Sequence, residues 1–550
     1  MPAFAPSALD DLRDALLETA GELRGERPAP SQAPTLERPP RTELGDYSTN
    51  AAMLLAPVLK AAPRQIAEQL GGGLADRLGS RLDRIEVAGP GFLNVFLADA
   101  WYADAAARML AEGEDIGAGG ASPRRINVEF VSANPTGPLH VGHARNAAYG
   151  DALSRLLSFL GHDVRREFYV NDHGSQVRKF GESLRARGLG HEPPEDGYHG
   201  DYVAEIAAEI AAAIGDAGDG DLEAVARRGI ELMLERLRAT LATFRVEFDT
   251  WLSERDLHVG EPSAVQHAFD VLADQGRTYR SEGALWLRTT EFGDDKDRVL
   301  ERSSGEHTYF ASDIAYHQEK RERGFDLLVD VWGADHHGYV RRMHAAFEAL
   351  GGGPDELDLV IMQFVNLVAR GERTSMSKRR GDFVSLDDLV AEIGVDAARW
   401  YLLNRSHETT IDLDVDLARR ESSENPVYYV QYAHARITSI LARAGEERVA
   451  DALAAFAAPA ALEPVERDLI KKALAFGAEV SEAAERRAPH RIAAYALEFA
   501  QSFTAFYRDC PVLGAEPEEV ETFRLGLCVA SRRIIGRSLG LLGVSAPESM

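Results

Sequence analysis

One stretch early in the chain constrains the fold more than any other. Residues 125–131 (Arg-Ile-Asn-Val-Glu-Phe-Val) are rich in β-branched and apolar side chains and predict a strand. A turn containing Gly and Pro follows at residues 132–138, and Leu153, Leu156 and Leu157 then recur at helical spacing. A strand, a Gly/Pro turn and a helix in this order open a nucleotide-binding α/β unit. We therefore expect a parallel sheet covered by helices.

The chain has 550 residues, enough for about three or four domains. Residues 1–110 combine helical patterns with two short strands around Gly89-Pro-Gly91 and predict a small α+β module. A Rossmann-type, parallel-sheet domain is expected at residues 122–400, because strand-like segments recur there. An Ala-rich helical pattern within it predicts an insertion at about residues 175–250.

From about Asp396 the pattern is helical to the end of the chain, which predicts an all-α helical bundle at residues 405–550. The expected fold class is thus multi-domain α/β. It combines an N-terminal α+β module, a Rossmann-type domain and a C-terminal helical bundle.

Charge and cysteine content exclude several classes of protein. The net charge is −27, from 61 basic and 88 acidic residues, which argues against general binding to nucleic acid or anionic membranes but allows a local basic groove. Cys510 and Cys528 are the only cysteines and cannot form a disulfide framework or a cysteine-based zinc site. We find no signal-peptide pattern and no apolar run of about 18 residues. A cytoplasmic protein without a membrane segment is expected.

The sharpest local motif is His140-Val-Gly142-His143 at the start of the predicted helix. A helix N-terminus has unpaired N–H groups and attracts phosphate. Two imidazoles there can donate to phosphate oxygens, and Gly142 lets a flat base approach the backbone. Alone, such a pair is more often two surface histidines. The strand–turn–helix context favours phosphate binding.

A second motif is Ser375-Met376-Ser377-Lys378, which contains one of only seven lysines in the chain. Alone, it reads as a solvated basic loop. Together with the two histidines it suits cleavage of ATP between its α and β phosphates. Negative charge grows on the leaving diphosphate, and donors must be positioned to meet it.

At this point a family resemblance is evident. The two motifs resemble the HIGH and KMSK signatures of class I aminoacyl-tRNA synthetases, with Ser375 in place of the first KMSK lysine. Longer strings resemble the arginyl-tRNA synthetase family from about residue 40 to the C-terminus. They begin at Glu129 (Glu-Phe-Val-Ser-Ala-Asn-Pro-Thr-Gly-Pro), Tyr309 (Tyr-Phe-Ala-Ser-Asp), Trp332 (Trp-Gly-Ala-Asp) and Asn425 (Asn-Pro-Val-Tyr-Tyr).

The resemblance implies roles for individual residues in the ATP and arginine sites. The implied catalytic residues are His140, His143 and Lys378. The implied ATP-binding residues are Gly137, His140, Gly142, His143, Met376, Ser377 and Lys378. The implied arginine-binding residues are Asn134, Glu129, Glu254, Tyr309, Asp313 and Asp335. A guanidinium is planar with five donors, so carboxylates and hydroxyls in its plane suit it.

It also implies partners: ATP with Mg²⁺, L-arginine and tRNA(Arg), in a monomer without a protein-ligated metal. The implied tRNA-binding residues are Tyr428, Tyr429, Tyr432 and Arg436, where tyrosines could stack on anticodon bases. Core packing explains each tyrosine at least as well. The N-terminal module resembles the family's domain that touches the tRNA elbow.

Three rival functions remain at this point. The chain could be a class I synthetase for another amino acid, a synthetase-like protein that binds tRNA without catalysis, or a small nucleotidylyltransferase. The intact histidine pair and Lys378 argue against a non-catalytic protein. The long helical C-terminal part argues against a nucleotidylyltransferase.

Overall fold

A computed structural model describes residues 7–214, 222–373, 384–457 and 459–550 of the protein. Met376, Ser377 and Lys378, together with Ser375, lie outside these described residues. Among the described helices, none combines the length and the apolar character that crossing a membrane requires.

The N-terminal module packs an antiparallel sheet against helices. Its elements are α1 (Ala8–Arg24), β1 (Tyr47–Thr49), α2 (Ala51–Leu59), α3 (Pro63–Leu78), β2 (Leu82–Ala88), β3 (Phe92–Leu97) and α4 (Asp99–Ala111). The strand order is β1–β3–β2, and the hairpin between β2 and β3 turns at Gly91, where φ is 139°. Helix α1 begins at Ser7, which exchanges hydrogen bonds with Asp10 as a capping box.

The central part contains a five-stranded parallel sheet and two three-stranded sheets, flanked by helices. Its strands are β4 (Arg125–Glu129), β5 (Asp163–Val170), β6 (Thr250–Ser253), β7 (Thr278–Ser281), β8 (Ala284–Leu287), β9 (Arg298–Glu301), β10 (Leu327–Gly333), β11 (Leu357–Met362), β12 (Val365–Ala369), β13 (Glu372–Arg373) and β14 (Ile411–Asp414). Its helices are α5 (Val141–Phe159), α6 (Ser175–Gly188), α7 (Asp201–Ile214), α8 (Leu222–Thr243), α9 (Ala264–Asp274), α10 (Tyr309–Glu322), α11 (Val340–Ala349), α12 (Leu386–Leu403) and α13 (Val415–Ala418).

The main sheet runs β11–β10–β4–β5–β6, and every neighbouring pair is parallel. The chain moves outward from β4 to β6 on one side and returns to β10 on the other. Strand order therefore reverses beside β4, and in such sheets ligands bind at the carboxyl ends of the strands at that point. The predicted fold class is confirmed.

Helix α5 lies unusually close to β4. A Cβ added to Gly150 would lie only 2.1 Å from Cγ of Phe130, so glycine is needed for this contact. The predicted strand ends early, at Glu129, because Val131 and Ser132 adopt positive φ values of 69° and 41°. Positive φ is costly for a β-branched residue, and such strain is concentrated at functional sites.

The C-terminal part is a helical bundle. Its helices are α14 (Pro426–Ala444), α15 (Glu446–Ala454), α16 (Pro464–Leu474), α17 (Phe476–Glu485), α18 (His490–Asp509) and α19 (Glu518–Leu541). The prediction of an all-α domain at residues 405–550 was wrong at Ile411–Asp414. These four residues form β14, which pairs in parallel with β12 and buries Ile411 and Leu413.

The central part and the helical bundle meet at the buried side chain of Arg399. Its guanidinium donates to the Asp151 carboxylate on α5, to the Phe244 carbonyl at 3.0 Å and to the Leu542 carbonyl at 2.9 Å. Asp396 nearby accepts the backbone N–H of Ser545 at 2.9 Å. The end of the chain is thereby attached to the helix that begins with the histidine motif.

Candidate active site

The two motif histidines form the N-terminal cap of α5. Nδ1 of His140 accepts the Gly142 N–H at 3.1 Å, and Nδ1 of His143 accepts the His140 N–H at 3.3 Å. The rings are stacked, with centroids 3.7 Å apart. Because each Nδ1 is an acceptor, the proton of each neutral ring is on Nε2.

Both histidines are neutral at working pH. Burial lowers the pKa of His140, and burial together with the neighbouring His140 lowers the pKa of His143 to about 3. Their Nε2–H groups can donate hydrogen bonds at the helix N-terminus, but neither ring carries a net charge. A positive charge beside this helix N-terminus has to come from another residue.

The start of α5 is paired with the chain at residues 384–386. The Val141 N–H donates to the Val384 carbonyl at 3.1 Å, and the Leu386 N–H donates to the Leu139 carbonyl at 2.8 Å. Arg373 and Val384, the described residues on either side of the predicted lysine motif, both line the same cavity as the histidines.

A cavity of about 1320 Å³ lies at the carboxyl ends of β4, β5, β10 and β11. Nine residues predicted for the ATP and arginine sites line it: Glu129, Asn134, His140, Gly142, His143, Glu254, Tyr309, Asp313 and Asp335. Gly137 is not among the lining residues. A Cβ at that position would lie 3.3 Å from the Tyr202 hydroxyl, so Gly137 permits close packing of α7 on the turn.

Two carboxylates, the buried Glu254 and the half-buried Asp313, form an acidic wall of this cavity. Tyr309 and Asp313 are one turn apart on α10, and Glu254 begins a 3₁₀ turn after β6. The Asp313 carboxylate accepts a hydrogen bond from the Tyr339 hydroxyl.

Among the described residues, no lysine or arginine is paired with the acidic wall. Burial raises the pKa of Asp313 and raises the pKa of Glu254 to about 7. Over the part of the chain that the structure describes, neither Glu254 nor Asp313 forms an ion pair with lysine or arginine. Uncompensated buried carboxylates facing a cavity are suited to a cationic ligand.

Glu129 differs from the other two acids. It accepts a hydrogen bond from the buried Lys320 ammonium at 2.7 Å and from the Ser132 hydroxyl at 2.9 Å. Lys320 also donates to Asp330 at 2.8 Å. Glu129 therefore reaches the cavity already paired, whereas Asp335 lies exposed at its rim.

A second, smaller pocket of about 300 Å³ lies in the helical bundle between α14 and α18. The four residues predicted to bind tRNA all line it: Tyr428, Tyr429, Tyr432 and Arg436. The rings of Tyr428 and Tyr432 are parallel, 6.2 Å apart, and Tyr432 is 40% exposed. The Tyr429 hydroxyl instead bonds to Thr504 at 3.0 Å, which fixes it between the helices.

Family models match nearly the whole chain. "Arginyl tRNA synthetase N terminal domain" matches residues 9–97. "tRNA synthetases class I (R), catalytic domain" matches residues 106–187 and 207–438. "DALR anticodon binding domain" matches residues 430–550. The chain belongs to the arginyl-tRNA synthetase family.

Similar proteins in this family cover the chain end to end. The arginine–tRNA ligase 1 of Halalkalibacterium halodurans is 44% identical, over 94% of either chain. The arginine–tRNA ligase of Frankia alni is 45% identical, over 98% of this chain and 99% of its own. The arginyl-tRNA synthetase structure from Thermus thermophilus is 25% identical, with a TM-score of 0.77 over 98% of this chain and 99% of its own.

For an arginyl-tRNA synthetase, the sequence reasoning missed several supporting residues. Tyr169 and Tyr339 line the cavity, and the Tyr339 hydroxyl donates to Asp313. Lys320 could have been found, because it is one of only seven lysines. The tyrosines carried no comparable signal, since tyrosine is common in protein cores.

Proposed function

We propose that this protein attaches L-arginine to tRNA(Arg) at the expense of ATP, through an arginyl-adenylate. The observation that supports the proposal is the meeting, in one cavity, of a helix start capped by two histidines and an acidic wall that forms no ion pair with a described lysine or arginine. The first part suits the phosphates of ATP, and the second suits a guanidinium.

In the first step, a carboxylate oxygen of arginine attacks the α-phosphorus of ATP. The bond between the α-phosphorus and the bridging oxygen breaks, and diphosphate leaves with the negative charge. The Nε2–H groups of His140 and His143 and the N-terminus of α5 donate to phosphate oxygens as this charge develops. No protein nucleophile takes part.

We assign to Lys378 the positive charge that the neutral histidine pair lacks. The described residues on either side of it support this assignment, because Arg373 and Val384 both line the cavity and the Val384 carbonyl accepts the Val141 N–H. Mg²⁺ enters with ATP on the phosphate oxygens, where it neutralises part of their charge. As the resemblance implies, we assign Met376 and Ser377 to the ATP site together with Lys378.

Arginine is held at both ends of the molecule. Glu254 and Asp313 accept the guanidinium, with the Tyr309 and Tyr169 hydroxyls nearby. Asn134 meets the α-amino or carboxylate group. Because Glu129 is already paired with Lys320, we assign it to holding Ser132 and the strained turn, with a weaker contact to arginine.

In the second step, a hydroxyl of the terminal ribose of tRNA attacks the carbonyl of the adenylate and AMP leaves. The 2′-hydroxyl is implied by the family. The pocket on α14 takes an unstacked base of the anticodon loop, with Tyr432 as the stacking surface and Arg436 near the phosphate. Arg436 lies 4.7 Å from the centre of the Tyr432 ring and donates to its hydroxyl at 2.9 Å.

We assign the tRNA elbow to residues 1–110, catalysis to residues 122–400 and anticodon recognition to residues 405–550. All residues of the proposed site belong to one chain, so a monomer is sufficient. We infer a cytoplasmic location, where tRNA(Arg) is used in translation.

The test is aminoacylation of total tRNA with ATP and each of the twenty amino acids in turn. Arginine alone should be esterified to tRNA, and charged product should appear only for tRNA(Arg). Omission of ATP is the matched control. Charging with a different amino acid, or with none, would contradict the proposal.

A further inference from the structure

A fully buried lysine lies behind the cavity. Lys320 on α10 is not among the residues that line the cavity, whereas Glu129 is. The Lys320 ammonium donates to the Glu129 carboxylate at 2.7 Å and to the Asp330 carboxylate at 2.8 Å. A lysine is almost never fully buried unless its charge is paired, and here two carboxylates share one ammonium. Lys320 therefore does not contact arginine itself, but it holds a carboxylate that reaches the cavity.

The two carboxylates are neighbours on the main sheet. Asp330 on β10 is in register with Glu129 on β4, so both side chains leave the same face of the sheet. Like charges at paired positions repel each other. The Lys320 ammonium is bonded to both and offsets this repulsion. Burial raises the pKa of Glu129, and the ammonium acts against that rise.

The contacts of Glu129 lead from the lysine to the strained turn. One oxygen of Glu129 accepts the Lys320 ammonium, and the other accepts the Ser132 hydroxyl at 2.9 Å. The Ser132 hydroxyl in turn accepts the Tyr169 N–H at 3.1 Å. Each carboxylate oxygen can accept a second hydrogen bond. Glu129 is thus held from behind and still has acceptor capacity toward the cavity.

Helix α10 has a second attachment to the strand that carries Asp330. Asp313, His317 and Lys320 follow one another on one face of this helix. Nε2 of His317 is 2.9 Å from the carboxylate of Asp330. Removal of the Lys320 ammonium therefore leaves the helix, with Asp313, still bonded to the sheet. The loss falls on Glu129.

We propose that Lys320 is a positioning residue of the arginine site, which holds the Glu129 carboxylate in its orientation toward the cavity and thereby raises the affinity for arginine; this rests on the function proposed above. The sign of the effect is diagnostic. If Lys320 acted only as a positive charge near a site for a cation, its removal would strengthen arginine binding. If Lys320 acts by positioning, its removal weakens arginine binding, because Glu129 loses its orientation and takes up a proton more readily.

The experiment measures the steady-state kinetics of Lys320→Met, which keeps an unbranched apolar side chain without the charge. We expect arginine KM to rise about tenfold, as for loss of one hydrogen bond at a charged group. We expect kcat and the KM for ATP to stay within a factor of about two.

Arg323→Met is the matched control. Arg323 ends the same helix and donates to the buried carboxylate of Glu167 at 2.6 Å, and Glu167 is not among the residues that line the cavity. Both variants leave a buried carboxylate without a cation and should lower the melting temperature. Arg323→Met should leave arginine KM as in the unmodified protein.

A double-mutant cycle with Glu129→Gln distinguishes positioning from a general loss of structure. If Lys320 acts through Glu129, then Lys320→Met should change arginine KM by less than about twofold in the Glu129→Gln background. If Lys320→Met does not fold, Lys320→Met/Asp330→Asn leaves a single carboxylate unpaired. Compared with Asp330→Asn, it should show the same rise in arginine KM.

Three results would overturn the proposal. They are an unchanged or lower arginine KM in the folded variant, additive effects in the cycle, and an equal rise of arginine KM in Arg323→Met. Failure of the unmodified protein to charge tRNA with arginine would instead contradict the proposed function.

Discussion

Replacing Glu254 by glutamine should stabilise the protein in the absence of arginine but weaken its affinity for arginine. Burial raises the pKa of Glu254 from 4.5 to about 7, even though the Ser312 hydroxyl favours the ionised form. At pH 8 the ionised side chain then destabilises the fold by about 3 kcal/mol relative to a solvated glutamate. Local relaxation reduces this figure, and we expect Glu254→Gln to stabilise the empty protein by about 1–3 kcal/mol at that pH.

The sign of the pH dependence follows from which state binds the proton more tightly. Because the pKa of Glu254 is higher in the folded chain, the folded state retains its proton between pH 4.5 and about 7, where the unfolded state loses it. The unmodified protein therefore loses stability as the pH rises through this window, and the loss is complete above it. Glutamine does not titrate, so the gain from Glu254→Gln should be absent near pH 4.5 and full at pH 8.

Added arginine should reverse the order of stability of the unmodified protein and Glu254→Gln. A guanidinium pairs with the ionised carboxylate, and loss of a hydrogen bond at a charged group costs about 1.5–3 kcal/mol. Arginine KM should thus rise about 10- to 100-fold in Glu254→Gln. Added arginine should raise the melting temperature of the unmodified protein far more than that of the variant.

The assay is thermal unfolding at pH 5 and pH 8, with and without arginine, together with arginine KM. Each kcal/mol should move the melting temperature by about 2–4 °C for a domain of this size. Glu247→Gln, at an exposed position before β6, is the matched control and should change nothing. Equal stabilisation at both pH values, or an unchanged arginine KM, would refute the reasoning.

Three further predictions concern phosphate, specificity and tRNA. Lys378→Ala should lower kcat about 10²–10³-fold with little change in arginine KM, as for loss of one oxyanion-type donor. Lys296→Ala is the control and should keep normal kinetics. A normal kcat in Lys378→Ala would exclude Lys378 from the mechanism. Lysine and ornithine should be activated at least about 10⁴-fold less well than arginine without an editing site, and Asp313→Ala should raise arginine KM sharply; hydrolysis of mischarged tRNA at a separate site would contradict this. Tyr432→Ala should weaken tRNA(Arg) binding by about 1–3 kcal/mol at unchanged melting temperature, whereas Tyr429→Ala should chiefly lower the melting temperature. Filter binding and thermal unfolding on the same preparations distinguish the two effects. Equal tRNA affinity in both variants would exclude stacking on Tyr432.

The sequence predicted the central α/β unit well because its signals are local. The strand at β4 and the helix α5 follow from a β-branched run and a capped, periodic segment, and their ends differed from the prediction by only a few residues. Strand β14 was missed because four residues, Ile411–Asp414, are too short to show a period. Its pairing with β12 depends on contacts remote in sequence.

The sequence predicted many of the residues that line the cavity but not their electrostatics. The residues of the acidic wall were found through matched strings, and the cavity brings Glu254 and Asp313 together. The absence of an ion pair to a described lysine or arginine could not be inferred from the sequence, because arginine is abundant nearby. Likewise, Glu129 looks equivalent to the other acids until Lys320, distant along the chain, is seen to neutralise it.

The junction at Arg399 determines the order in which the molecule can be completed during synthesis. Domains generally fold as they emerge from the ribosome, with the N-terminal ones first. The acceptors of this buried guanidinium, however, come from Asp151, Phe244 and Leu542, and Leu542 follows Arg399 by 143 residues. The helix that begins with the histidine motif therefore reaches its final environment only after the helical bundle has been synthesised. A chain that stopped short of Leu542 would leave a buried cation in the central part without one of its acceptors.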